Sequence, residues 1–192
     1  MSHPLAVSRE TEEKLSLYTK ELLKWNEKIN LIGRSTSLNI IDRHIVDCSQ
    51  LQSLLNKSDK ILDIGSGAGM PGIVLSILGF DVTLVEKDFK KYQFLCKIRN
   101  MLKLQARILN LRLEKNMHIG DFNLITCRAF ANLADILSLT KNYFENNAKY
   151  VLPKGKTYQE EIDLAKSSCD FQYSLVDSKT NKDSKIIILK KT

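Results

Sequence analysis

A chain of 192 residues, 43% hydrophobic and 27% charged, can bury one sizeable core and leaves no length for a second catalytic unit. It has no apolar run near the ~18 residues of a membrane span, no basic-then-apolar opening of a secretory signal, and no Cys-x-x-Cys among Cys48, Cys96, Cys127 and Cys169. We therefore expect reduced thiols in a cytoplasmic chain without a metal site, while the net charge of +7 and pI near 9.2 permit a polyanionic partner without naming one.

In chain order, Leu15, Tyr18, Leu22, Trp25 and Ile29 recur at alternating steps of three and four. That stripe predicts an amphipathic helix over Ser8–Ile29, with Trp25 as a core anchor. A loop is expected around Gly33 and its Ser-Thr-Ser cluster, then a second helix from about Ser37 to Leu55. After Asn56 the pattern changes. Lys60–Ile64 reads as a short apolar strand, followed by glycines and a helical stretch Ile73–Leu78. A strand Asp81–Glu86, a helix Phe89–Leu102 and a strand Arg107–Asn110 come next. Beyond them are a strand Phe122–Cys127, a helix Leu133–Phe144 and a strand Tyr150–Leu152. Strands alternating with helices predict βαβ units and a parallel sheet covered on both faces. Phe171–Val176 and Lys185–Leu189 read as a terminal antiparallel hairpin. Residues 1–57 are thus expected to be an N-terminal helical extension and 58–192 the α/β core of a single domain.

The densest signal is Asp63-Ile-Gly65-Ser-Gly67-Ala-Gly69-Met-Pro71-Gly72, lying between a strand and a helix. Ligands of such sheets bind at the carboxyl ends of the strands, where this turn falls. A phosphate-binding P-loop would end in Gly-Lys-Ser/Thr, and here Pro71-Gly72-Ile73 stands in its place. A dinucleotide G-x-G-x-x-G would need glycine where Met70 stands. Asp63, at a strand end, would repel a pyrophosphate but suits the cationic methionine end of S-adenosylmethionine. Glu86, about twenty residues on, closes the next strand, where an acid accepts hydrogen bonds from two ribose hydroxyls. Together these residues point to S-adenosyl-L-methionine as the cofactor, with S-adenosyl-L-homocysteine as product.

Taken in order, the motifs resemble the RsmG (GidB) family of bacterial ribosomal RNA methyltransferases, from about Trp25 to Glu161. The resemblance is carried by Trp25-Asn26, Asn30-Leu31, Arg43-His44 with Asp47, the glycine block, Lys90-Lys91, Phe94-Leu95, Arg112-Leu-Glu114, Arg128-Ala129 and Lys154-Gly155. Ile32 stands where threonine is usual, Cys48 where serine is usual, and Met70 where Phe or Leu is usual. The resemblance implies a Rossmann-like class I methyltransferase with a mostly parallel seven-stranded sheet. It implies formation of 7-methylguanosine in the decoding region of small-subunit (16S) rRNA, naked or in an assembling subunit, by a monomer. By position it implies that Gly65 and Met70 line the donor pocket and that Leu113 and Glu114 flank the adenine. Arg128 would face the methionine end or the target base.

The residues agree that the acceptor is a ring nitrogen. The Asp/Asn-Pro-Pro-Tyr/Phe element used for exocyclic amines is replaced by Thr126-Cys127-Arg128-Ala129, and no Pro-Cys pair exists for attack through a pyrimidine carbon. N7 of guanine has an in-plane lone pair and no proton to lose, so no general base is required. Arg128 is the candidate positioning residue, because a guanidinium donates to the O6 edge of guanine or clamps a carboxylate or phosphate. His44 is a second candidate, more for loop orientation or phosphate contact than for proton transfer. Asp47 is expected to fix Arg43 and His44 from one turn away. The expected cofactor residues are Asp63, Gly65, Ser66, Gly67, Met70, Glu86, Leu113, Glu114 and Arg128; the expected RNA contacts are Arg34, Arg43, Lys90, Lys91 and Lys154. A small-molecule or protein methyltransferase, and a non-catalytic RNA-binding module on the same core, are the competing readings.

Overall fold

A computed structural model describes residues 7–33 and 41–192, apart from the side chains at 42 and 43. Its centre is one sheet of seven strands. These are β1 Lys60–Ile64, β2 Asp81–Glu86, β3 Arg107–Asn110, β4 Leu124–Thr126, β5 Lys149–Lys154, β6 Phe171–Asp177 and β7 Lys185–Lys191. They lie in the order β3-β2-β1-β4-β5-β7-β6. The first five pair in parallel, and β7 runs antiparallel to both β5 and β6. The chain winds outward from β1 to β3 and then crosses back to β4 beside β1, so the strand ends part at β1/β4. Open α/β sheets bind their ligands at such a reversal.

Alternation along the strands explains the layers. In β1, Ile61 packs into one buried cluster with Leu15, Leu22, Val74 and Phe94, while Leu62 and Ile64 pack into another with Leu133, Ile136, Phe144 and Ile162. The first layer is made by α1 (Arg9–Asn26), α2 (Gly72–Ile77) and α3 (Phe89–Leu102); the second by α4 (Leu133–Leu139), α5 (Lys141–Glu145) and α6 (Tyr158–Lys166). α1 lies against α2 and α3, so its apolar stripe is covered by the core. Trp25 packs at the edge of that cluster, 5.6 Å from the Phe94 ring.

Most elements fall where the sequence places them, and the differences have local causes. Ser8 caps α1 by accepting from Thr11 N, but the helix stops at Asn26. Lys28 N and Ile29 N then share the Trp25 carbonyl in a closing turn, and the Asn26 Oδ1 accepts from Leu31 N and Ile32 N. Of the second expected helix, residues 37–40 lie outside the described residues. The remainder is irregular: a π-helical turn Ile41–Val46, an α turn Asp47–Ser49 and a 3-10 turn Gln50–Leu54. The expected helix over Leu133–Phe144 breaks at Thr140, whose hydroxyl donates to the Ile136 carbonyl and meets the Tyr150 hydroxyl. Such back-bonding bends helices. α6 was not apparent in the sequence, because only Ile162 and Ala165 are buried in its polar stretch.

Candidate active site

The turn after β1 is organised from below. Ser66 N donates to the Val85 carbonyl at 3.0 Å, and the Ser66 hydroxyl donates to the Asp63 carbonyl at 3.0 Å. Tyr18 of α1 reaches beneath the loop and donates to the Ala68 carbonyl at 2.7 Å. Gly65 has φ +65, and a Cβ there would lie 2.2 Å from the Phe130 ring, so both backbone conformation and close approach require glycine. Glu86 closes β2 with both carboxylate oxygens held. Oε2 accepts from Gly67 N and Oε1 from Asp88 N, each at 2.8 Å. Its carboxylate is thereby fixed beside the turn.

Asp63 is fully buried beneath the turn and does not line the cavity described below. Its Oδ2 accepts from Gly72 N at 3.0 Å, while Oδ1 is buried without a hydrogen-bond partner among the described residues. Burial disfavours the charged form and pushes its pKa up to about 7.

Above the turn opens a cavity of about 510 Å³, lined by Gly65, Gly67, Glu86, Leu113, Arg128 and Phe130 among others. Ser66, Met70 and Lys91 also reach it. Arg128, at the carboxyl end of β4, is positioned from three sides. Its Nη2 lies 2.7 Å from His44 Nδ1 and 2.9 Å from Met70 Sδ, and Nη1 lies 3.3 Å from Asp47 Oδ2. Because arginine only donates, His44 Nδ1 is the acceptor of that bond. Asp47 is held in turn by Gln50 Nε2 at 2.9 Å and by the Thr180 hydroxyl at 2.7 Å. Lys179 N donates to Gln50 Oε1 at 2.8 Å, so the β6–β7 loop braces the whole group.

The structure gathers some expected residues and separates others. Gly65, Ser66, Gly67, Met70, Glu86, Leu113 and Arg128 share the cavity. Glu114 is exposed beside Leu113 and is not part of the lining. Lys90 and Lys91 open α3, where Asp88 Oδ1 accepts from both their backbone N–H groups. Arg34 and the Arg43 side chain lie outside what is described. Lys154 is turned inward, 2.8 Å from the Ala131 carbonyl and 2.6 Å from Glu161 Oε2. Asp47, expected to orient Arg43 and His44, reaches Arg128 81 positions away. Sequence reasoning missed Tyr18 and Phe130. A hydroxyl-bearing residue inside an apolar stripe was the available signal for Tyr18, and proximity to Arg128 was the signal for Phe130.

Residues 11–187 match the family described as rRNA small subunit methyltransferase G. The chain belongs to that family. A curated relative named ribosomal RNA small subunit methyltransferase G, from Rickettsia bellii, is 43% identical over 183 residues, covering 94% of each chain. Among solved structures, a SAM-dependent methyltransferase from Aquifex aeolicus aligns with a TM-score of 0.60 at 13% identity, over 90% of this chain and 97% of that one. A mutant of MtNAS in complex with S-adenosylmethionine aligns with a TM-score of 0.63 at 13% identity, over 94% and 76% of the two chains. Both structural likenesses concern the Rossmann-like methyltransferase fold. As a member of the family, the chain is a methyltransferase that uses S-adenosylmethionine.

The residues present fit that donor. A nucleoside bearing a cationic amino-acid arm needs a hydroxyl-accepting acid, exposed backbone N–H groups and an apolar slot for its ring. The cavity offers Glu86, the Gly65–Gly67 turn and the buried side chain of Leu113. Asp63, with one bare oxygen, lies beneath the turn that floors the cavity.

Proposed function

We propose that this enzyme forms 7-methylguanosine in the decoding region of 16S rRNA. It would act in the cytoplasm, as a monomer, on RNA that is naked or in an assembling small subunit. The observation that carries this reading is the carboxyl end of β4, which presents Arg128 and neither a nucleophile nor a base. The nearest thiols, Cys127 and Cys48, are fully buried, and burial pushes each up to about 12. Neither can supply the thiolate that methylation at a pyrimidine carbon demands.

When bound, S-adenosylmethionine supplies an electrophilic methyl group on a positively charged sulfur. In this reading Glu86 accepts from the ribose hydroxyls, Leu113 covers the adenine with Glu114 at the rim, and the Gly65–Gly67 turn meets the donor with backbone N–H groups. Met70 and Arg128 border its methionine end, and Asp63 stabilises the cationic arm through the turn. Arg128 also donates to the O6 edge of guanine, which holds N7 in line with the methyl group. Positioning of this kind contributes roughly 7–11 kcal/mol. His44 holds Arg128 in place. Arg34, Arg43, Lys90 and Lys91 take phosphates around the cavity mouth, whereas the ion pair of Lys154 supports an internal role.

The test is incubation with labelled donor and small subunits from cells lacking the modification, followed by mapping of the labelled nucleoside. Label in 7-methylguanosine at a single 16S position is the expected result. Label in protein or in a small molecule would instead favour the other methyltransferase readings.

A further inference from the structure

A second cavity, of about 280 Å³, adjoins the donor cavity at Arg128. Arg128 and Ala129 line both spaces. The second one is bordered by the ends of β4 and β5 and by the β6–β7 hairpin, through Lys154, Gly155, Glu161 and Ser184. Its size is just below the roughly 300–1,000 Å³ of drug-sized ligand sites, which suits a single flipped nucleobase. Two acids line it: Asp47, whose oxygens are engaged by Arg128, Gln50 and Thr180, and Glu161. Glu161 Oε2 accepts from Lys154 Nζ at 2.6 Å and from Leu133 N at 2.9 Å, which locks the carboxylate in one orientation. Its Oε1 makes no hydrogen bond among the described residues, and the side chain is 19% exposed.

We propose that this second cavity receives the target guanine and that Glu161 reads its Watson–Crick edge. The inference rests on the guanine N7 reading above and adds the residue that selects the base. Guanine carries an acceptor, O6, between N7 and N1, and two donors, N1–H and the 2-amino group, on the adjoining edge. Arg128 stands at the boundary of the two cavities, where it donates to O6 while N7 faces the donor side. Glu161 Oε1, further in, accepts from N1–H and the 2-amino group. Adenine presents an amine in place of O6 and an acceptor at N1, so it meets an arginine donor and a carboxylate with the wrong polarity at both positions. A site built to hydrogen-bond its substrate rejects analogues that leave its polar groups unpaired.

Gly155 allows a test that spares the fold. A Cβ there meets nothing within 4 Å, so the backbone at Gly155 accepts a side chain, and Gly155→Leu adds bulk at the cavity lining. Gly155→Leu should keep the melting-temperature rise given by S-adenosylhomocysteine, yet transfer methyl to unmethylated small subunits at least tenfold more slowly than the parent. On a synthetic decoding-region RNA with inosine at the target, which lacks the 2-amino group, the parent should lose about tenfold in kcat/KM. In Glu161→Ala the guanosine and inosine substrates should be equivalent. Parental turnover by Gly155→Leu, or an undiminished preference for guanosine in Glu161→Ala, overturns the inference while leaving the N7 reading standing. A parent enzyme that forms no 7-methylguanosine overturns both.

Discussion

Asp63 has one oxygen bonded to Gly72 N and the other bare in the core, and burial pushes its pKa up to about 7, well above the ordinary aspartate range. The sign follows directly. Between about pH 4 and 7 the folded state keeps a proton that the unfolded chain releases, so this group's stabilisation is lost as pH rises, by up to about 1.4 kcal/mol per pH unit. A cationic ligand favours the ionised form, so donor binding should move the other way. Affinity for S-adenosylmethionine is expected to rise by as much as about tenfold per unit as pH approaches 7, then level off. Calorimetric titrations across that range should be flat for Asp63→Asn; a parallel pH dependence in that variant would contradict the assignment. Asp47 acts at one remove, through Arg128. Asp47→Ala should leave donor binding intact and lower turnover by up to about 10²-fold, the scale of a ~1 Å misplacement; Thr180→Val should do the same less strongly. Both effects belong in single-turnover rates, and an unchanged rate in Asp47→Ala would mean that Arg128 needs no brace. Asp63 and Glu86 were legible because strand-end positions are fixed by chain order alone. The Asp47–Arg128 pair was not, since nothing local joins residues 81 positions apart.

Among elements, the glycine turn and the start of α2 depend on contacts that tolerate no added atom. A Cβ on Gly72 would lie 2.5 Å from Asp63 Oδ2 and 2.8 Å from Leu84. Gly72→Ala is therefore expected to cost about 1–3 kcal/mol by overpacking, read as a lower denaturant midpoint at unchanged slope. A variant as stable as the parent would show that the strand and turn relax freely. Elements with strong periodicity and punctuation were readable: β1, β2, α3 and β3 occupy their predicted spans. β4 is shorter than expected, at Leu124–Thr126, and Asn123 just before it accepts from Lys60 N through its side chain. The break at Thr140 and the existence of α6 are set by tertiary partners, Tyr150 and the second core cluster, which a local pattern does not encode.

At the scale of the molecule, the net charge of +7 acquires a direction. Lys91 borders the donor cavity, and Lys90 lies in the adjoining surface with Lys28. Replacing Lys90 or Lys91 with alanine should weaken RNA binding and reduce the slope of log affinity against log salt by about one for each. Lys154→Ala should leave that slope unchanged and lower stability by about 1–3 kcal/mol, because it strips an internal carboxylate and carbonyl of their partner. Filter binding across a salt series separates the two, and a slope change in Lys154→Ala would return it to the RNA surface. Composition permitted a polyanionic partner but could not tell which lysines were already spoken for.

The position of β7 has a temporal side. β6 pairs with β7 alone, and β7 alone joins β6 to the rest of the sheet. The hairpin can close locally, and its docking onto β5 joins Lys154 to Lys185 across a longer stretch of chain than β1–β2 or β2–β3 pairing does, so it is expected to come later. Thr180, which holds Asp47, and Ser184, which borders the second cavity, travel with that hairpin. The expected order is therefore β1–β2 and its glycine turn first, with the hairpin that borders the second cavity added afterwards. Pulse-labelled hydrogen exchange should show amides of Leu62 and Leu84 protected before that of Ile188, and simultaneous protection would mean that the two halves of the site mature together.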